Sequence, residues 1–152
     1  SDRGVVFRAN ADGSDYRILH TFAGSPADGA NPEASPIDAT DGRLYGTTQS
    51  GGANNAGILY RMDLDGTGFQ IVYHFTYPTG GGPAGPVLQG SDGKLYGTTV
   101  GGGSGGGGVV FRVDLDDTGY QVLQRRHAFT LRERLVLIGA AEHPARRRQH
   151  KP

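Results

Sequence analysis

Two short acidic motifs come closest to a chemical site in this chain: Asp63-Leu64-Asp65-Gly66-Thr67-Gly68 and Asp114-Leu115-Asp116-Asp117-Thr118-Gly119. Carboxylates at alternate positions suit a hard cation such as Ca²⁺, which gathers several carboxylate and carbonyl oxygens. Asp63, Asp65, Asp114 and Asp116 are the ligands such a site would use. The order of a calcium-binding EF-hand loop is nevertheless broken, because Gly66 interrupts the series before a third ligand and no Glu stands at the twelfth position. A tight turn asks for the same residue types: Asp closes over backbone N–H groups and Gly accepts positive φ. We prefer the turn, and expect no metal and no cofactor.

The second candidate is a contact surface. Tyr45 and Thr47 return as Tyr96 and Thr98, and a tyrosine ring with flanking hydroxyls could hold a glycan. The competing role is packing between repeats, with the small Gly46 and Gly97 allowing close backbone approach; packing is the reading we favour. His20 stands two residues before Phe22 but His74 only one before Phe75, so the histidines face opposite ways and share no metal geometry. Neither a Ser/His/Asp set nor a carboxylate pair stands out from the turns, so no enzyme is expected. The run Gly101 to Gly108 precedes a strand rather than the helix a phosphate-cradling loop needs, and reads as a flexible rim turn.

The elements that carry these residues repeat. Asp41-Gly42-Arg43-Leu44-Tyr45-Gly46-Thr47-Thr48 recurs 51 residues on as Asp92-Gly93-Lys94-Leu95-Tyr96-Gly97-Thr98-Thr99, and Gly57 to Asp65 recurs at the same offset as Gly108 to Asp116. Gly4-Val5-Val6-Phe7-Arg8 is an earlier copy of the second block. A fixed period near fifty marks a repeat architecture. Within each copy apolar residues alternate with polar ones, the period of a half-buried strand. Asp-Gly and Gly-rich turns separate the strands, as at Asn10 to Asp15 and Asp65 to Gly68. In the fourth strand, Phe69, Ile71, Tyr73 and Phe75 are expected on one face. The predicted fold is therefore all-β, built from four-stranded antiparallel blades in an incomplete β-propeller-like array. We assign a half blade to residues 4–22, a blade to 35–75 and a blade to 86–123, together a repeat array over 1–124.

Residues 125–152 differ. The 152-residue chain has zero formal charge, yet residues 1–124 carry seven Lys and Arg against 13 Asp and Glu, while the tail carries eight basic residues against Glu133 and Glu142. All but one of the 27 glycines precede this tail. It reads as a basic, disordered end, either a cap unlike the repeats or an out-of-frame product. Aromatic residues are missing after Phe129, so we expect no nucleic-acid partner. Cysteine is absent, which excludes disulfide staples and Cys-ligated metal. No apolar run reaches the roughly 18 residues of a membrane span. The chain opens at Ser1, close to a repeat's third strand, which we read as a mature or excised fragment.

The repeat resembles the Gly-rich tandem repeat called GloVer: Asp-Gly-x-Leu-Tyr-Gly-Thr-Thr, a Gly-Gly pair, Gly-x-Val-Phe, Asp-Gly-Thr-Gly, and a strand ending near Phe. Asp41 to Thr48, Gly51-Gly52, Gly57 to Tyr60, Asp65 to Gly68 and Phe75 carry the resemblance, as do Asp92 to Thr99, Gly108 to Phe111 and Asp116 to Gly119. It covers residues 4–123; the third copy departs at Asp117 and lacks the terminal Phe. The layout is also similar to the kelch repeat. The resemblance implies bacterial proteins of the cell surface or exterior with many tandem copies and no established catalytic activity. We expect an extracellular structural or adhesive protein whose open strand edges pair copies into a ring or filament; the alternative is a lectin-like module binding a glycan.

Overall fold

The computed structural model describes residues 2–127, and these are all-β. They contain no helix, and so none long and apolar enough to cross a membrane. The basic segment from residue 128 onward lies outside the described residues.

β1 (Val5–Arg8) and β2 (Arg17–Thr21) form an antiparallel hairpin around residues 10–15, with Gly13 at φ 82° in its turn. After β3 (Gly29–Ala30), the strands β4 (Ile37–Asp38), β5 (Arg43–Thr48), β7 (Ile58–Asp63) and β8 (Gln70–His74) form a four-stranded antiparallel meander, in that order. β6 (Ser50–Gly51) leaves that meander to pair with β3. The last sheet repeats the plan with β10 (Leu88–Gln89), β11 (Leu95–Gly101), β12 (Gly106–Val113) and β13 (Gln121–His127), while β9 (Gly81–Pro83) pairs with the far end of β11.

Two apolar cores lie between the successive layers. One joins the hairpin to the middle sheet through Val6, Phe22, Ile58, Tyr60 and Met62; the other joins the middle and last sheets through Tyr45, Leu59, Phe75, Leu95 and Phe111. Alternation along β7 explains how one strand serves both: Ile58, Tyr60 and Met62 point one way and Leu59 the other.

The single apolar face expected for the fourth strand is split. Leu59 pairs with Tyr73 but Tyr60 pairs with Ile71, so Val72 is an extra residue in a β-bulge. A bulge resets alternation; Phe69 and Ile71 therefore enter the first core, and Tyr73 and Phe75 the second. The same shift occurs between Val6 and Phe7 and between Val110 and Phe111, at equivalent positions of all three copies.

The Gly-rich stretches are also more ordered than free rim turns. Gly51 pairs with Gly29 and Gly101 with Gly81, pinning each sheet to the segment that leads into it. Gly51 sits at φ 85°, and a Cβ there would lie 2.6 Å from the Asp28 carbonyl oxygen. Asp117, where the middle repeat has Gly66, keeps the left-handed backbone at φ 70°. β13 runs on to His127, with Arg125 opposite Val109 and His127 opposite Gly106 of β12, so the strand passes residue 124.

Candidate functional site

The acidic loops are turns that use their own carboxylates. Asp65 Oδ1 accepts the Thr67 N–H at 2.9 Å and its hydroxyl at 2.7 Å; Asp116 does the same to Thr118 at 3.2 and 2.6 Å, and Asp12 to Ser14 at 2.9 and 2.7 Å. These bonds, the hydroxyl first, hold the three carboxyls below their usual range. Asp63 faces the Arg43 guanidinium at 3.3 Å, and Asp114 pairs with Lys94. Among the described residues no three acidic or histidine side chains gather around one point. His20 meets Asp28 at 3.1 Å, whereas the His74 Nδ1 accepts the Ala53 N–H at 3.1 Å.

Tyr45 and Thr47 are fastened between sheets. The fully buried Tyr45 donates its hydroxyl to Asp41 at 2.8 Å, and its oxygen lies 3.2 Å from the Leu115 carbonyl of the last sheet's turn. That carbonyl also accepts the Arg61 guanidinium at 2.8 Å, and Arg61 is braced by Gln70 Oε1. Burial pushes the Tyr45 phenol pKa up, and the Asp41 carboxylate adds to it. Thr47 donates to the Gly85 carbonyl at 3.0 Å. Tyr45 therefore has no ring face free for a ligand.

Among the described residues the third copy repeats the local bonds without the cover. Tyr96 donates to Asp92 at 2.8 Å and Arg112 is braced by Gln121, but Tyr96 and Thr98 remain partly exposed beside the exposed Val100 and Leu123. The four sequence-selected side chains thus do not converge: two are locked inside the stack and two lie on its open face.

What the sequence reading missed is an aromatic lock at each layer boundary. Tyr60 pairs with Phe69 at 5.6 Å between ring centroids, and across the boundary His20 stacks on Phe69 at 3.7 Å while Phe22 meets Tyr60 edge-on at 5.4 Å. One repeat later Phe111 pairs with Tyr120 at 5.6 Å, Tyr73 stacks on Tyr120 at 4.0 Å and Phe75 meets Phe111 at 5.1 Å. The signal was a ring, one residue, then Phe, at 20–22 and 73–75. At the head of the chain the corresponding pair, Phe7 and Tyr16 at 5.3 Å, is left uncovered, each 57% exposed.

The sequence profile of the Gloeobacter/Verrucomicrobia repeat matches residues 1–134. The chain belongs to this repeat family. The match passes residue 124, where the pattern was expected to fail. No curated protein matches the chain. In this Gloeobacter/Verrucomicrobia repeat chain, the three equivalent bulges, Asx turns and aromatic pairs are the physical form of the repeated sequence.

Proposed function

We propose that this repeat chain is a non-enzymatic structural or adhesive module of the bacterial cell exterior, and that its layers continue into neighbouring copies to build a propeller-like ring or a filament. The observation that carries the reading is the likeness of the free ends to the internal boundaries. Phe7 at one end is the counterpart of the buried Tyr60 and Phe111, and Tyr16 of the half-buried Phe69 and Tyr120; Tyr96 and Thr98 at the other are the counterparts of the buried Tyr45 and Thr47. Surfaces shaped for burial and left open invite association. A head-to-tail contact closes into a ring when its rotation allows and extends as a fibre when it does not.

Negative-stain electron microscopy of the purified chain at two concentrations is the test. Rings or filaments that grow with concentration are expected; isolated particles of monomer size at both concentrations would remove the assembly reading.

A further inference from the structure

The hairpin end carries a second incompleteness besides its bare rings. β7 is paired on both sides, by β5 and β8, and β12 by β11 and β13, whereas their counterpart β1 is paired only by β2 among the described residues. Along its other edge runs a groove of about 540 Å³, lined by residues 5–9 on one side and residues 32–36 on the other.

The equivalent space in the middle repeat is occupied. Residues 83–87 are the counterparts of 32–36, and β5 lies between them and β7: Thr47 donates to the Gly85 carbonyl, and Thr48 Oγ1 accepts the Ile58 N–H at 3.3 Å. Gly46 stands opposite Tyr60, so close that a Cβ on it would lie 2.3 Å from the phenol oxygen. In the last repeat β11 pairs with β12 in the same register, with Gly97 opposite Phe111 and the Val109 N–H donating to Thr99 Oγ1 at 3.1 Å.

We propose that the groove beside β1 is a docking site for a strand of the Leu-Tyr-Gly-Thr-Thr type, supplied by another copy of the repeat. The register follows from the occupied copies. The strand runs antiparallel to β1 with its Gly opposite Phe7, its Tyr opposite Arg8 and its last Thr opposite Val5, while its first Thr hydroxyl reaches the Ala34 carbonyl. Main-chain pairing supplies affinity, and the Gly supplies specificity, since any larger residue meets the Phe7 ring. Such a strand would continue the pairing seen at the β5–β7 and β11–β12 interfaces and cover the exposed Phe7 ring. This inference rests on the assembly reading and names one of its contacts.

The probe is a fluorescent peptide of residues 41–50, read by anisotropy against the full chain. Saturable binding is expected, weakened about tenfold or more in a peptide carrying Gly46→Val. The full chain carrying Ala34→Arg, which fills the groove from its outer wall, should weaken the unmodified peptide to a similar degree while its circular dichroism stays unchanged. Absence of binding, or equal binding of the Gly46→Val peptide, would overturn the proposal. A chain that assembles but ignores the peptide loses this inference and keeps the assembly reading; a chain that stays monomeric yet binds the peptide does the reverse.

Discussion

Tyr73 lies flat on Tyr120, with ring centroids 4.0 Å apart and 8° between planes, although the two residues belong to different repeats. His20 takes the same position over Phe69, 3.7 Å away at 4°. A stacked ring at each boundary limits how far one sheet can slide over the next, because sliding or turning the ring away forfeits its buried contact area. The Tyr120 hydroxyl further reaches the Thr79 carbonyl at 3.2 Å, and burial, then the nearby Tyr73, raises its phenol pKa. We expect Tyr120→Ala to cost about 3 kcal/mol, measured by urea unfolding, and Tyr120→Phe to cost about 1 kcal/mol or less.

The paired glycines give a sharper steric test. A Cβ at Gly46 would lie 2.3 Å from the Tyr60 phenol oxygen, and one at Gly97 would lie 2.4 Å from the far carbon of the Phe111 ring. Both rings are buried and held by neighbours, so they have little room to yield. Gly46→Ala and Gly97→Ala should each destabilise by about 1–3 kcal/mol. Thermal denaturation followed by circular dichroism reads the effect, and unchanged melting in both variants would contradict this packing.

Tyr60 carries the one buried side-chain polar atom without a hydrogen-bond partner among the described residues, its phenol oxygen. The equivalent positions hold Phe7 and Phe111, which have no hydroxyl to satisfy. Removing it in Tyr60→Phe should raise stability by up to about 1 kcal/mol. Burial pushes the Tyr60 pKa above its ordinary 10.0, so the folded state favours the neutral phenol. Its contribution is complete below pH 10.0 and is lost as the pH rises above that value. Alkaline unfolding should therefore shift upward in Tyr60→Phe, as monitored by denaturant midpoints across the basic range.

Covered and uncovered copies of one bond should differ in worth. Tyr45 and Tyr96 each donate to the Asp four residues earlier at 2.8 Å, but among the described residues only Tyr45 lies beneath another sheet, with its oxygen beside the Leu115 carbonyl. Tyr45→Phe should cost about 1 kcal/mol and Tyr96→Phe clearly less in the isolated chain. Under assembling conditions the Tyr96 variant should lose more, because its face would then be covered.

Much of this was legible in the residues. The 51-residue offset placed the hairpins, and the hydrophilic turns fixed β5 at residues 43–48. The fourth strand was legible only in part: alternation assigned Phe69 and Phe75 to one face, and the bulge at Val72 sends them into different cores. Bulges leave no local mark here, since Val72 is an ordinary strand residue. The pairing of Gly51 with Gly29 escaped for a related reason: glycine-rich sequence signals freedom, while close approach of two backbones is set by distant partners. Tyr45 and Thr47 were recognisable as a repeated pair, but whether a sheet covers them depends on Leu115 and Gly85, far along the chain.

The central proposal is that neighbouring copies cover the two outer faces of the stack formed by the described residues. Sedimentation velocity across a concentration series into the micromolar range tests it most directly. Species larger than the monomer that increase with concentration are predicted, and Tyr16→Lys, which puts a charge on the bare Phe7 and Tyr16 surface, should suppress them. A single monomeric boundary throughout the series would contradict the account.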